Sequence, residues 1–323
     1  MTVLDVIPAD ERRKARRAAM PDWTPPMLAT LTDERFSDPG WIYERKFDGI
    51  RCLAFARRGR ISLLTRNRLS ANERFSGVVE ALAGQHPPAF IVDGEVVAFR
   101  GRESSFSLLQ RRENVRIVFQ VFDVLYADRW DVTRVGLLHR KALLRELLDF
   151  EGALRLTAHR AGAGERYANE ACEKGWEGII AKDAASAYEL GRSNRWLKFK
   201  CVLEQEFVIG GYTEPQGSRS GLGALLVGYY RGRELVYAGK VGTGFDDQTL
   251  ADLSGRLTAR ERATSPFRED EGLPRKGVNW VKPTLVGQVG FAEWTGDGRL
   301  RHSRFLGLRS DKAAKDVVRE MPS

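Results

Sequence analysis

Residues Tyr43-Glu44-Arg45-Lys46-Phe47-Asp48-Gly49-Ile50-Arg51 set a lysine at the end of a predicted strand, with a carboxylate two positions away on either side. Side chains alternate across a strand, so a period of two turns Glu44, Lys46 and Asp48 to one face. Taken alone, the pattern reads equally well as a solvated salt-bridge ladder of small energetic consequence. Gly49 argues otherwise, because a residue without Cβ lets a ligand or another backbone come close. Further charged strand ends downstream argue the same way.

Asp93-Gly94-Glu95-Val96-Val97 puts two carboxylates at i and i+2 in an otherwise apolar strand. Unless that strand is a solvated edge, an ionised group there needs a cation, a metal or a hydroxyl partner. In Phe119-Gln120-Val121-Phe122-Asp123-Val124-Leu125, Phe122 is either core or a flat apolar face for a base. Glu177-Gly178-Ile179-Ile180-Ala181-Lys182 opens a short apolar strand with a carboxylate suited to a hard cation. Trp196-Leu197-Lys198-Phe199-Lys200 alternates, so Lys198 and Lys200 share a face with Trp196 in phase; a polar outer face is the plain alternative.

The 323 residues, 42% hydrophobic and 29% charged, suffice for a substantial core and make two domains the default. With 52 basic against 43 acidic residues the formal charge is +9, which favours a polyanionic partner without separating nucleic acid from an anionic membrane. No apolar run approaches the roughly 20 residues a bilayer span needs, and the opening segment is charged, so a cytoplasmic protein with no membrane association is expected. Cys52, Cys172 and Cys201 are widely spaced; neither a disulfide framework nor a zinc ribbon is supported, and inert thiols are expected. His86, His139, His159 and His302 lack metal-ligand spacing, no serine sits in a G-x-S-x-G elbow, and the Walker pattern is missing. Phosphate handling therefore falls to separate Lys and Arg side chains.

Pro25-Pro26 enforces an extended stretch before Met27-Leu28-Ala29, in an N-terminal segment expected to wrap the surface. Strands are predicted over 41–46, 52–56, 61–65, 91–99 and 115–125, and helices over 134–150 and 164–175. Near 201–206 the texture shifts to Gly-rich strands over 207–212, 224–230, 235–241 and 287–294, which read as a small β-barrel. A helix over 246–263 and a polar connection over 265–276 complete that half. Gly217, Gly221 and Gly223 read as turn glycines rather than a phosphate loop. The expected fold class is α+β, with domains over 1–203 and 204–323.

Together these residues resemble the covalent nucleotidyltransferase superfamily of ATP-dependent DNA ligases, mRNA capping enzymes and RNA ligases. Lys46-Phe47-Asp48-Gly49 fits the family's K-x-D-G, and Arg51 completes E-x-K-x-D-G-x-R. A lone K-x-D-G is a weak signal. Its conjunction with Arg66 in Leu64-Thr65-Arg66-Asn67, with Asp93-Gly94-Glu95, Phe122-Asp123 and Glu177-Gly178, and with the Trp196 to Lys200 run is strong. Phe305-Leu306-Gly307-Leu308-Arg309-Ser310-Asp311-Lys312 resembles the R-x-D-K motif of the C-terminal OB domain, so the likeness covers nearly the whole chain. Ser193-Asn194-Arg195-Trp196-Leu197-Lys198 and Pro26-Met27-Leu28-Ala29 are similar to the DNA ligase branch, nearest to bacterial ligase D and ligase C type cores of non-homologous end joining. A minimal ligase core is expected, without fused polymerase, nuclease or helical DNA-binding modules. The three cysteines cannot supply the four-cysteine zinc module of NAD-dependent ligases.

The resemblance implies an adenylation domain of antiparallel sheets with flanking helices, followed by a small OB-fold barrel. It implies Lys46 as the nucleophile on the α-phosphorus of ATP, Glu44 reading the adenine amino group, Phe122 stacking on the ring and Glu95 binding the ribose. Arg51 and Lys200, with Lys198 nearby, would neutralise the α-phosphate; Glu177, with Asp93 or Glu95, would hold Mg2+ or Mn2+. Arg309, Asp311 and Lys312 would close over the triphosphate tail, Arg66 would clamp the DNA 5′-phosphate, and Asp48 would lie near the 3′-hydroxyl. The implied partner is nicked double-stranded DNA, with Ku and a separate repair polymerase as candidate partners of a monomer at the bacterial nucleoid. An RNA ligase, a guanylyltransferase or a non-catalytic OB-type nucleic-acid binder are the rival readings. An ordinary lysine pKa of about 10.4 leaves Lys46 protonated; Lys198, Lys200 and a metal would lower it while Glu44 and Asp48 raise it. Cation crowding is expected to prevail once ATP and metal bind.

Overall fold

In the computed structural model of the protein, the short β-branched and aromatic runs of the first half form two sheets that share a core. The structure describes residues 2–320 apart from 86–88, 102, 105, 112–113, 202, 216–220, 269–271 and 275; His86 and Gly217 lie outside the described residues. The larger sheet runs Arg16–Arg17, Trp130–Asp131, Arg116–Ala127, Ala89–Arg100, Ile50–Arg57, Arg60–Thr65. The smaller runs His159–Ala161, Trp41–Lys46, Gly178–Asp183, Gly191–Lys200, Met27–Leu31. Neighbours pair antiparallel except at Met27–Leu31 on Gly191–Lys200 and Leu154–Leu156 on Arg116–Ala127. The Met27 stretch is therefore no surface strap: the prolines deliver it already extended to the edge of the smaller sheet, where Met27 is fully buried.

Period-two alternation divides each sheet between two cores. Cys52, Ala54, Val92 and Val96 of the larger sheet pack with Leu143 and Leu144 of helix Leu137–Leu147. Tyr43, Ile179, Ala181 and Phe199 of the smaller sheet pack on Tyr167, Ala168 and Ala171 of helix Gly164–Glu173. Between the sheets lies a third cluster, with Leu53, Phe55, Ile91 and Phe122 from one side and Met27 and Trp196 from the other. Helix Ser76–Ala83 was not foreseen; it buries only Val78 and Leu82, too short a stripe to announce a helical period.

The chain divides into two units between Cys201 and Val202. In the second, Glu234–Val241, Leu225–Arg231, Leu203–Thr213, Val278–Phe291 and Arg304–Arg309 form a bulged antiparallel sheet. Its core joins Phe207, Ile209, Val227 and Val289 to Leu250, Leu253 and Leu257 of helix Asp247–Thr258. Asp246 caps that helix by accepting from the Thr249 amide. The helix stops short of residue 263 because Glu261–Arg262 joins the sheet. The α+β class, with an OB-type second unit, is as expected.

One expectation fails. Cys172 and Cys201 are joined as a disulfide with their Cα atoms 5.1 Å apart, while Cys52 is buried and free. Sequence spacing gave no hint, because helix Gly164–Glu173 and strand Gly191–Lys200 meet only through the fold. Among the described residues no helix is long and apolar enough to cross a membrane.

Candidate active site

Register assembles the site. Lys46 lies opposite Gly178 and Glu44 opposite Ile180, while Gly178, Ile180 and Lys182 lie opposite Lys200, Lys198 and Trp196. Directly opposed residues share a face. Glu44, Lys46, Lys182, Trp196, Lys198 and Lys200 thus project together toward the larger sheet, while the apolar alternates take the helix-packed face. Gly178 makes this possible: its φ is +146°, and a Cβ there would come 2.0 Å from the Phe199 carbonyl oxygen. From the facing sheet Arg51 lies opposite Glu95, and Leu53 opposite Asp93.

The Lys46 ammonium is ion-paired with Glu177 Oε1. Burial pushes its pKa down, but Glu177 above all, then Glu95 and Asp48, outweigh burial and hold it above the ordinary lysine range. Lys46 is thus held as an ammonium group by its carboxylate neighbours. The other Glu177 oxygen, Oε2, is buried with no hydrogen-bond partner among the described residues.

Glu44 is treated differently. Lys141 Nζ donates to its Oε1 at 2.5 Å, and Lys182 Nζ lies 2.7 Å from its Oε2. Burial pushes this carboxyl's pKa up, yet the two ammonium groups bring it below the ordinary range. Lys182 also sits 4.2 Å from the Phe122 ring centroid and 3.9 Å from that of Trp196, and burial pulls its own pKa down to about 8.

Several predicted roles change in the structure. Asp93 leaves the metal-ligand set: its oxygens take both arms of Arg51, at 2.6 Å each, and Oδ2 also accepts from the Tyr188 hydroxyl. Arg51 is correspondingly committed to Asp93 and to the Phe122 ring, 4.4 Å from its centroid, with its pKa raised further by Asp93 despite burial. Phe122 therefore carries two cations on its ring rather than an open stacking face. Asp48 does not continue the strand, which ends at Lys46; its Oδ2 accepts from the amide of Phe106, the first residue of helix Phe106–Arg111. Arg66 lies in the turn after Arg60–Thr65, its amide donating to the Arg51 carbonyl. Lys198 is nearly buried.

The geometry has a counterpart among known proteins. Residues 26–200 match the ATP dependent DNA ligase domain, and residues 218–312 the ATP dependent DNA ligase C terminal region. The chain belongs to the ATP-dependent DNA ligases. The multifunctional non-homologous end joining protein LigD of Pseudomonas aeruginosa is 38% identical over 98% of this chain and 39% of its own length. LigD of Mycobacterium bovis is 38% identical over 91% of this chain and 40% of its own. The solved structure of a mycobacterial DNA ligase D complexed with ATP and MES is 35% identical with a TM-score of 0.68, covering 92% of this chain and 98% of that one. The chain spans about two fifths of the length of these curated relatives.

In the second unit of this ligase chain, Arg309 donates to both Asp311 oxygens at 2.9 and 2.8 Å, and Lys312 lies 3.2 Å from Glu206. Sequence reasoning missed Lys141, Lys182, Arg140 and Tyr188. Arg140 and Lys141 lie in the helix predicted over 134–150, and three and four positions after Leu137 they fall on its buried stripe. Arg140 is fully buried on Asp123, and Lys141 on Glu44. Lys182, in phase with Gly178 and Ile180, carried the same period-two signal as Lys198.

Proposed function

We propose that this chain is the catalytic core of an ATP-dependent DNA ligase that seals 5′-phosphate/3′-hydroxyl nicks, acting in non-homologous end joining. The observation carrying this is a half-buried lysine paired with a carboxylate whose second oxygen has no hydrogen-bond partner among the described residues, on a face lined by Lys198 and Lys200. In the first step Lys46, once deprotonated, attacks the α-phosphorus of ATP in line; pyrophosphate leaves and AMP remains on the nitrogen as a phosphoramidate. AMP then passes to the DNA 5′-phosphate, and the 3′-hydroxyl displaces it.

A divalent cation fits Glu177, whose buried Oε2 lacks a partner, with Glu95 as the second carboxylate near Lys46. Among the described residues no cluster of three or more His, Cys, Asp or Glu forms a metal site, as suits Mg2+ or Mn2+ held by one or two carboxylates plus substrate phosphates. When bound, such an ion supplies positive charge to the phosphate oxygens. Glu44, Phe122 and Glu95 form the nucleoside side of the pocket, with Lys182 set between the rings. Arg51 supports that wall through Asp93, while Lys198 and Lys200 face the α-phosphate. Arg309, Asp311 and Lys312 serve the triphosphate tail; Arg66 and Asp48 serve the DNA ends. Nicked duplex DNA is the substrate, with Ku and a separate repair polymerase as the partners of end joining. The formal charge of +9 suits phosphate contacts that weaken with salt.

The test is sealing of a 5′-phosphorylated nick with ATP and Mg2+ or Mn2+. Wild type should seal and carry AMP on Lys46; Lys46→Ala should lose both, by at least about a thousandfold in rate. Equal sealing by the two proteins would overturn the proposal.

A further inference from the structure

The disulfide lies directly behind Glu177. Cys172 is near the end of helix Gly164–Glu173, and residues 174–177 lead from it to strand Gly178–Asp183. That turn is tied to Cys201 at both ends: Cys172 by the disulfide, and Glu177 through its carbonyl, which accepts from the Cys201 amide at 3.0 Å. Within the turn the Gly175 amide donates to the Cys172 carbonyl at 3.0 Å and the Trp176 amide to the Ala171 carbonyl at 2.9 Å, while the Trp176 ring packs on Tyr167 and beneath the Arg45 guanidinium. The segment that presents Glu177 to Lys46 is thus clamped onto the last residue of the first unit.

The bridge is also built for exchange. Both cysteines are partly exposed, and Arg35 Nη2 lies 3.6 Å from Cys172 Sγ. Arg35 is itself fixed by Asn169 Oδ1 at 3.1 Å and the Lys200 carbonyl at 3.3 Å. A guanidinium held on one sulfur stabilises that sulfur as a thiolate and makes it the better leaving group.

We propose that Cys172–Cys201 is a reversible redox-modification site for low-molecular-weight thiols and disulfides, and that its oxidised form sets Glu177 for lysine charging. A small thiolate attacks Cys201 Sγ, the S–S bond breaks, and Cys172 departs as a thiolate beside Arg35. A second small thiolate releases Cys201 from the mixed disulfide. The protein disulfide is reduced to two thiols while two small thiols are oxidised to one small disulfide; the reverse exchange restores the bridge. Reduction frees the front of the turn while the Cys201 amide bond and the helix remain.

The effect on charging rests on the ligase reading above; the site itself does not, so two readouts are needed. The full chain is equilibrated with oxidised glutathione or with dithiothreitol, and native thiols are counted. The oxidised form should show none that react rapidly, since Cys52 is buried, and the reduced form two. Trypsin should cut after exposed Lys174 faster in the reduced form. Transfer of labelled AMP to Lys46 at subsaturating Mg2+ should slow by about threefold or more on reduction and recover on reoxidation. Cys172→Ser/Cys201→Ser should show no rapidly reacting thiol and should match the reduced form in tryptic cleavage and charging in either buffer. Two titratable thiols in oxidised glutathione, equal tryptic cleavage in both forms, unchanged charging on reduction, or a redox response surviving in the double variant would each overturn the proposal. Absence of charging in both forms would instead count against the ligase reading, with the exchange site still decided by thiol count and cleavage.

Discussion

Glu44 stands on strand Trp41–Lys46 and Glu177 in the turn just before the neighbouring strand Gly178–Asp183, each carboxylate beside a lysine, and they do different things. Glu44 is sealed: Lys141 and Lys182 meet its two oxygens, and its side chain is 2% exposed. Lys141 is fully engaged as well, reaching the Phe122 and Thr157 carbonyls at 3.4 and 3.3 Å. Glu177 is half-spent, with Lys46 on one oxygen and nothing on the other among the described residues. A buried polar atom without a partner is costly, so its retention points to something that arrives. On the reading proposed above, the sealed carboxylate is a fixed wall on the nucleoside side of the pocket, and the half-spent one is where substrate charge would enter.

Two substitutions separate these roles. Glu44→Ala strands two buried ammonium groups and should destabilise the first unit by about 3–5 kcal/mol, read by urea unfolding. Glu177→Gln should change stability much less but slow Lys46 charging roughly 10–100-fold, about 1.4–2.8 kcal/mol in barrier, and raise the half-saturating Mg2+ concentration. It also removes the main charge that raises the Lys46 pKa, so the rise of charging rate with pH that follows Lys46 deprotonation should move to lower pH. If both substitutions damaged stability and charging alike, the distinction would be lost.

Much of this site was legible from single residues. Period two placed Lys46, Lys198 and Lys200, because it converts directly into a face once the strand is known. What it could not supply was the partner across the sheet. Asp93 looked like a metal ligand because nothing in the sequence announced that Tyr188 and Arg51 converge on it. Asp48 was put on the strand face because the strand's end is set by Gly49, whose Cβ position is 2.3 Å from the Val96 carbonyl oxygen. Lys141 is of a residue type almost never fully buried unless paired, and its partner Glu44 lies 97 positions away in the sequence. The disulfide and the Arg51–Asp93 pair depend on contacts far apart in sequence, which spacing does not encode.

A smaller effect sharpens the sealed side. Lys182 has a pKa near 8 in the folded chain against an ordinary 10.5. Between those values the unfolded chain binds the proton that the folded chain has released, so this group makes stability rise with pH across that window. Wild type should therefore gain on Lys182→Met as pH goes from 8 toward 10.5, by up to about 1.4 kcal/mol per unit. Paired unfolding curves would show it; a constant offset between them would place the Lys182 proton elsewhere.

The smallest effect tests whether sealing is general on this face. Tyr188 donates to Asp93 Oδ2 at 2.6 Å and accepts from the buried Met27 amide at 2.9 Å. Tyr188→Phe leaves that amide without a partner, while Asp93 keeps both arms of Arg51, so the loss should be only about 1–2 kcal/mol. Lys46 charging should stay within about twofold of wild type, because the Arg51–Asp93 pair braces the Phe122 wall without meeting Lys46. The comparison with Glu177→Gln is then direct. If Tyr188→Phe slowed charging as severely, Asp93 would belong with Glu177 among the residues that respond to substrate, and the framework would begin one layer deeper.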